Sequence, residues 1–189
     1  LQDGDLDVMI DEPRPQDLAI LRSTHPDQVL TWPAPFTLFV GFDTVKPPFD
    51  DERLRQAVSY AIDRGHLVDL LGGSTIQRPT CQILPPNYQG YEPYCPYTLE
   101  PDNLVWSAPD LDRAEALIEK AGAAGTPVDV LVSDDGLPPG SVELMSYVTD
   151  VLAEIGLEPE LEILHRDRAY FGRILPPAGG APGTHAGTP

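Results

Sequence analysis

Residues 47–64 read PPFDDERLRQAVSYAIDR, and this stretch does most to decide the fold. The two prolines at its start break any preceding strand, because proline has no backbone N–H to donate. Asp50 is the predicted N-cap of a helix over 50–63, and the acidic residues after it favour the positive end of the helix dipole. Apolar residues recur at helical spacing and define one buried face: Leu54, Ala57, Val58, Ala61 and Ile62.

Strands and helices are predicted to alternate along the rest of the chain. Residues 37–43, TLFVGFD, are rich in β-branched and aromatic residues and predict a buried strand. The other predicted elements are a helix near Pro15–Arg22, a short helix over 66–71 after an interruption at Gly65, a helix over 110–121 capped by Asp110 and stopped by Gly122, a strand over 127–133, a helix over 141–155 capped by Ser141, a strand over 157–164 and a helix over 167–175. This order predicts an α/β domain with a mixed sheet flanked by helices.

The length and composition are those of a folded domain. The chain has 189 residues, of which 41% are hydrophobic, so it can bury a sizeable core. We expect a single α/β lobe over 1–175, followed by a Pro/Gly-rich loop or tail over 176–189. Both ends are expected to be cuts through a longer protein.

The charge excludes several kinds of partner. There are 30 acidic and 12 basic residues, and the net charge is −18. Nucleic acid is excluded as a partner, because binding phosphates requires a basic face. An anionic membrane surface would repel the chain as well. The charge itself favours solubility, with a preference for cationic ligands as the alternative.

The sequence predicts no catalytic, metal or cofactor site, and the chain is not expected to be an enzyme. No serine nucleophile motif or glycine-rich phosphate loop is present. Asp134 and Asp135 follow a predicted strand as possible paired carboxylates, but Gly136 favours a solvated turn. The histidines lie in separate contexts and are interpreted as surface or capping residues: His25, His66, His165 and His185.

An irregular stretch over 74–103 carries the two cysteines and several tyrosines. Zinc needs about four ligands, so Cys81 and Cys95 do not predict a metal site. They can instead form a disulfide worth roughly 3 kcal/mol, or remain unrelated thiols in a reducing compartment. Tyrosine combines an apolar ring with a hydroxyl, which suits ligand recognition, although packing on its own domain is the alternative.

Three parts of the chain resemble the family 5 solute-binding proteins, which serve peptide, dipeptide and nickel importers. Residues 42–44, 47–51 and 53–64 resemble the family signature, residues 1–8 the segment before it, and residues 110–122 a later helix. The resemblance implies a two-lobed periplasmic-binding-protein fold of the type II, peptide-binding kind, with ligand trapped between the lobes. The chain would be most of the carboxy-terminal lobe. The amino-terminal lobe would then be missing, together with an aromatic–acidic segment that normally follows the last helix.

This resemblance implies the solute-binding component of an ABC importer. Its partners would be a peptide or similar small solute and the permease subunits, and the full-length protein would be an extracytoplasmic lipoprotein. The expected ligand contacts are Phe42 and Asp43 at the strand end, with Tyr88 and Tyr91 from the irregular stretch. Asp43 stands where the family usually has Asn, which affects any polar contact carried over to it. Arg55, and Asp63 with Arg64, are expected to make structural ion pairs.

A second resemblance leaves an alternative open. Residues 78–86, 90–91 and 94–97 resemble an actinobacterial subgroup in which this domain is sometimes fused behind a transcriptional regulator. That architecture would make the chain a cytoplasmic ligand sensor with the same fold. A purely structural or interaction fragment is the third alternative.

Overall fold

The structure is a computed structural model that describes residues 7–9, 15–30, 36–74, 77–86, 88–134, 140–165 and 168–174. The predicted tail over 176–189 lies outside the described residues, as do Asp135, Gly136 and His185. Contacts divide the chain into two compact units, Leu1–Phe36 and Thr37–Pro189. The extent of the predicted lobe, residues 1–175, stays a prediction.

The first unit contains the predicted amino-terminal helix. Helix α1 spans Pro15–Thr24 and is followed by a 3-10 turn over Pro26–Gln28. The hydroxyls of Ser23 and Thr24 each donate a hydrogen bond to the Ile20 carbonyl at 2.8 Å near the end of this helix.

The second unit is an α/β arrangement, which confirms the predicted class. Its two described strands are parallel, with Pro127 opposite Glu158 and Ser133 opposite Leu164. Helix α5 (Ser141–Glu154) connects the strands and packs on both of them, so the unit contains a βαβ motif. The elements are α2 (Glu52–Ala61), α3 (Arg64–Leu70), a 3-10 turn (Pro101–Asn103), α4 (Leu111–Ala121), β1 (Pro127–Ser133), α5 (Ser141–Glu154), β2 (Glu158–Leu164) and α6 (Arg168–Ile174).

The start of α2 lies one residue later than predicted. Asp51, rather than Asp50, is the N-cap, and its carboxylate accepts a hydrogen bond from the Arg53 N–H at 2.8 Å. The Arg53 guanidinium also binds this carboxylate, with Nη2 2.5 Å from Oδ2. The predicted ion pair of Arg55 is wrong, because its Nη1 donates instead to the carbonyls of Phe49 and Asp50.

The Asp51 cap predicts a pH-dependent contribution to stability. The Arg53 side chain, and then its backbone N–H, lower the pKa of Asp51 below its ordinary value. A carboxylate whose pKa is lowered in the folded state stabilises the fold at pH values above its ordinary pKa. This contribution is lost as the pH falls through the folded-state pKa. We expect Asp51→Asn to unfold at lower urea than wild type near neutral pH, with the gap closing as the pH falls through the lowered pKa of Asp51.

A matched charge removal controls for net charge in this pH series. Asp112→Asn removes an exposed carboxylate from the first turn of α4. A gap between wild type and Asp51→Asn that stays constant to the acid end would show that the carboxylate charge is not the stabilising feature.

The break between α2 and α3 falls at 62–63, not at Gly65 as predicted. Asp63 caps α3 by accepting a hydrogen bond from the His66 N–H at 2.9 Å. Gly65 lies inside the first turn of α3, where an added Cβ would lie 3.3 Å from the Trp106 ring. The glycine therefore permits a close approach of Trp106 and does not interrupt the helix.

The core of the second unit lies between α2, α4 and the βαβ motif. Helix α2 packs against α4, and β1 buries alternate residues from Val128 to Val132. The predicted caps of α4 are confirmed, with Asp110 at its start and Gly122 in the left-handed conformation at its end. The buried members are Leu54, Ala57, Val58, Tyr60, Ala61, Ile62, Ala114, Ile118, Ala123, Val128, Val130, Val148, Val151, Leu152, Ile155 and Leu157.

Two other predictions on local structure are wrong. Residues 37–43 form neither helix nor strand, and Phe39 is 68% exposed. Strand propensity takes effect only beside another strand, and the described sheet pairs β1 with β2 alone. The N-cap of α5 is Gly140 and not Ser141, whose buried hydroxyl has no hydrogen-bond partner among the described residues.

Candidate ligand-binding site

The first two predicted contact residues lie in a closed turn before α2. The carboxylate of Asp43 accepts a hydrogen bond from the Val45 N–H at 3.1 Å and lies 3.3 Å from the Lys46 ammonium. These two groups, in that order, lower the pKa of Asp43. The Phe42 ring lies 4.7 Å from the Phe49 ring and packs against the core. Phe42 therefore supports the turn. The Asp43 carboxylate is exposed to solvent, although it is bonded to the Val45 N–H and pairs with Lys46.

The irregular stretch is organised by a disulfide. Cys81 and Cys95 are bonded, with Cα atoms 4.9 Å apart, which confirms the pairing and excludes two unrelated thiols. We call residues 81–95 the disulfide ring. The Gln82 side-chain amide donates to the Glu92 carbonyl at 2.7 Å and so closes the ring a second time.

The other two predicted contact residues lie together in this ring. The Tyr88 N–H donates to the Pro85 carbonyl at 3.0 Å, and the Tyr91 N–H donates to the Tyr88 carbonyl at 3.2 Å. Tyr88 is 48% exposed, whereas Tyr91 is half-buried. Among the described residues, no hydrogen bond, ion pair or ring contact joins these tyrosines to Phe42 or Asp43. The ligand role of all four residues stays a prediction.

Arg64 connects the disulfide ring to α2. Its Nη1 donates to the Thr80 carbonyl at 2.6 Å, and its Nη2 donates to the Ser59 carbonyl at 3.3 Å. Burial lowers the pKa of Arg64, because an apolar surrounding disfavours the charged form. The predicted ion pair is wrong, since the guanidinium binds two carbonyls. One of them lies in the last turn of α2, where the helix dipole attracts a cation.

The chain after Cys95 is anchored on the same helix. The rings of Tyr97 and Tyr60 meet edge to face at 5.3 Å, and the Arg113 guanidinium lies 4.5 Å above the Tyr60 ring. The Asp110 N–H donates to the Tyr60 carbonyl at 2.9 Å. Helix α2 therefore contacts the chain after the disulfide ring directly, and it is linked to the chain before the ring through Arg64 of α3.

A buried threonine closes a second loop beyond the ring. Thr98 is 1% exposed, and its hydroxyl oxygen accepts hydrogen bonds from the N–H groups of Ser107 at 2.9 Å and Ala108 at 3.3 Å. It also lies 3.1 Å from the Ala108 carbonyl, to which it can donate. One side chain thus satisfies several backbone groups of the loop over 98–108.

We expect Thr98→Val to lower the free energy of unfolding by about 2 kcal/mol, because it leaves the part-buried N–H groups of Ser107 and Ala108 without this acceptor. The control is Thr149→Val in α5, since within the described part of the chain the Thr149 hydroxyl bonds only to the Met145 carbonyl of its own helix. Urea unfolding measures both variants. Equal losses at the two positions would contradict a special role of the Thr98 hydroxyl.

A histidine–aspartate pair that the sequence interpretation missed lies at the carboxyl ends of the two strands. Asp134 follows β1 and His165 follows β2, and His165 Nδ1 lies 2.7 Å from Asp134 Oδ2. The Asp134 N–H donates to the Leu164 carbonyl at 2.9 Å. Ligands of open α/β sheets commonly bind at this edge. The available signal was that each residue is the first after a strand, and parallel strands end at one edge.

Neither a metal cluster nor a membrane span is found among the residues that the structure describes. In those residues no three His, Cys, Asp or Glu side chains come close enough together to hold a metal ion. No helix there combines the length and apolarity needed to cross a membrane.

Comparison with known proteins shows a family. The sequence profile described as "Bacterial extracellular solute-binding proteins, family 5 Middle" matches residues 1–174. The Di/tripeptide-binding protein 2 of Pseudomonas aeruginosa strain UCBPP-PA14 is 29% identical over 77% of this chain and 26% of its own length. Heme-binding protein A of Haemophilus influenzae is 27% identical over 65% of this chain and 20% of its own length.

Solved structures show the same fold. The Escherichia coli murein tripeptide binding protein MppA matches 87% of this chain and 31% of its own, with a TM-score of 0.65 and 23% identity. HbpA2 of Haemophilus parasuis matches the same shares, with a TM-score of 0.61 and 24% identity. The described elements are therefore part of a periplasmic-binding-protein fold. The chain spans about a quarter of the length of the curated relatives it matches.

Proposed function

Since this chain belongs to family 5 of the bacterial extracellular solute-binding proteins, we propose that it forms part of the solute-binding component of an ABC importer for peptides or similar small solutes. The family match over 1–174 is the observation that carries the proposal. A relative with a di/tripeptide-binding name supports the ligand class. The role is binding and not catalysis, as in the solute-binding family to which the chain belongs.

The rest of the architecture is part of this proposal. The chain is most of the carboxy-terminal lobe, the solute is held between this lobe and a second one, and the full-length protein docks on permease subunits. It is anchored outside the cytoplasm as a lipoprotein. The disulfide favours this location over a regulator-fused cytoplasmic sensor, because reducing compartments keep most thiols unpaired.

The contact residues of this lobe are proposed from exposure and chemistry. Tyr88 offers an exposed ring and hydroxyl, and Tyr91 follows it in the next turn of the ring. Asp43 offers an exposed carboxylate, which suits a positively charged solute group, and the chain that carries it has a net charge of −18. Phe42 contributes by holding the turn that carries Asp43.

Titration calorimetry of the natural full-length protein with a mixed library of short peptides tests the proposal. We expect a dissociation constant of about 1 μM or tighter for some members, and an increase of about tenfold in Tyr88→Ala. Tyr94→Ala is the matched control, because Tyr94 is an exposed tyrosine of the same ring that is not a proposed contact. Absence of binding to every peptide would contradict the ligand class. Equal effects of the two variants would contradict the contact residues.

A further inference from the structure

We propose that Arg64 is a positioning residue that holds the disulfide ring in place on α2 and thereby sets the location of Tyr88 and Tyr91. Its effect on solute binding rests on the proposed function, whereas its effect on the ring does not.

The contacts of Arg64 make it a bridge between two elements. Thr80 immediately precedes Cys81, and its carbonyl receives the short 2.6 Å hydrogen bond from Nη1. The second amino group reaches the Ser59 carbonyl at 3.3 Å, close to the end of α2. A guanidinium presents its donors in a fixed planar fork, so holding both carbonyls fixes their separation. The carbonyl before the ring therefore has one preferred place relative to the helix.

Burial makes this bridge costly to break. The polar contacts of Arg64 are part-buried, and a buried charge without hydrogen-bond partners destabilises the folded state. If the ring moved away, the guanidinium would lose its closest acceptor.

The two ends of the ring are held in different ways. Cys95 is 2% exposed, and Thr98 beyond it is 1% exposed, so burial fixes this end. Cys81 is only half-buried, so burial holds it less firmly. The disulfide fixes the distance between the ends, but a closed ring can still rotate about one buried end. The Arg64 contact to Thr80 opposes that rotation.

Limited chymotrypsin digestion of the oxidised full-length protein tests the position of the ring. A cut after Tyr88, Tyr91 or Tyr94 leaves both fragments joined by the disulfide. Such fragments separate only after reduction with a dithiol, which identifies cuts inside the ring. We expect Arg64→Gln to speed this cleavage by about tenfold, the effect of losing one hydrogen bond to a charged group.

The controls separate positioning from general destabilisation. Arg53→Gln removes an arginine of α2 that reaches a remote carbonyl, that of Lys120 at 3.0 Å, and that has no hydrogen bond to the described residues of the ring. We expect cleavage inside the ring to stay near the wild-type rate in this variant. Arg64→Lys keeps the charge without the planar fork, so it should cleave at an intermediate rate. It also serves as the test variant if Arg64→Gln does not fold.

Ligand binding gives the second measurement. The peptide dissociation constant of the full-length protein should rise about tenfold in Arg64→Gln and stay unchanged in Arg53→Gln. Ring cleavage at the wild-type rate in both Arg64 variants would overturn the positioning role. Faster ring cleavage in a protein that binds no peptide would support the positioning role and contradict only the proposed function.

Discussion

Replacing Leu54 with Ala is expected to lower the free energy of unfolding by about 3–4 kcal/mol, the range seen when a large side chain is removed from a packed core. Leu54 is 2% exposed and lies on the face of α2 that packs against α4. Alanine favours the helix at least as well as leucine, so the loss reports on packing and on the cavity left behind.

Leu70→Ala is the matched control for this substitution. Leu70 lies in α3 and is 39% exposed, so its removal should cost under about 1 kcal/mol. Urea unfolding followed by circular dichroism measures both variants. Comparable losses at the two positions would mean that α2 and α4 do not form the tight core described above.

The chain on its own is expected to bind solute at least about 100-fold more weakly than the natural full-length protein, if the proposed function holds. A solute pocket normally encloses about 70–90% of a small ligand, and a single lobe leaves it open on one side. With fewer contacts, less of the entropic cost of association is offset, and the affinity falls. The closing of two lobes around a ligand is also lost.

Calorimetry of both proteins with the same peptides measures this difference. Circular dichroism and thermal unfolding first establish that the separate chain is folded. Equal dissociation constants for the two proteins would show that the site lies wholly within this lobe, and the half-site argument would be wrong.

The helices were largely predictable because amphipathic periodicity and end signals are local. The face formed by Leu54, Ala57 and Val58 is buried as predicted, and Gly122 ends α4. The errors in capping arise where neighbouring residues have the same chemistry. Asp50 and Asp51 are both good caps, and only the backbone geometry shows that Asp51 accepts the hydrogen bond.

The features that sequence patterns could not provide depend on contacts between distant residues. The strand predicted over 37–43 needed a neighbouring strand, which periodicity does not report. The Asp134–His165 pair needed the register of two parallel strands. Arg64 was expected to pair with a carboxylate because opposite charges attract. Its actual acceptors are backbone carbonyls, which every sequence contains and which a residue pattern therefore cannot single out.

The separation of the core elements along the chain has a consequence for the order of folding. Elements β1, α5 and β2 are continuous from 127 to 164, whereas α2 reaches α4 only after the intervening residues 62–110 are closed into a loop. Contacts of short sequence separation form faster, because less loop-closure entropy is lost before they are made. The βαβ motif is therefore the expected nucleus, and the α2–α4 contact forms late. Substitutions such as Leu54→Ala would then act mainly by speeding unfolding, with little effect on the folding rate.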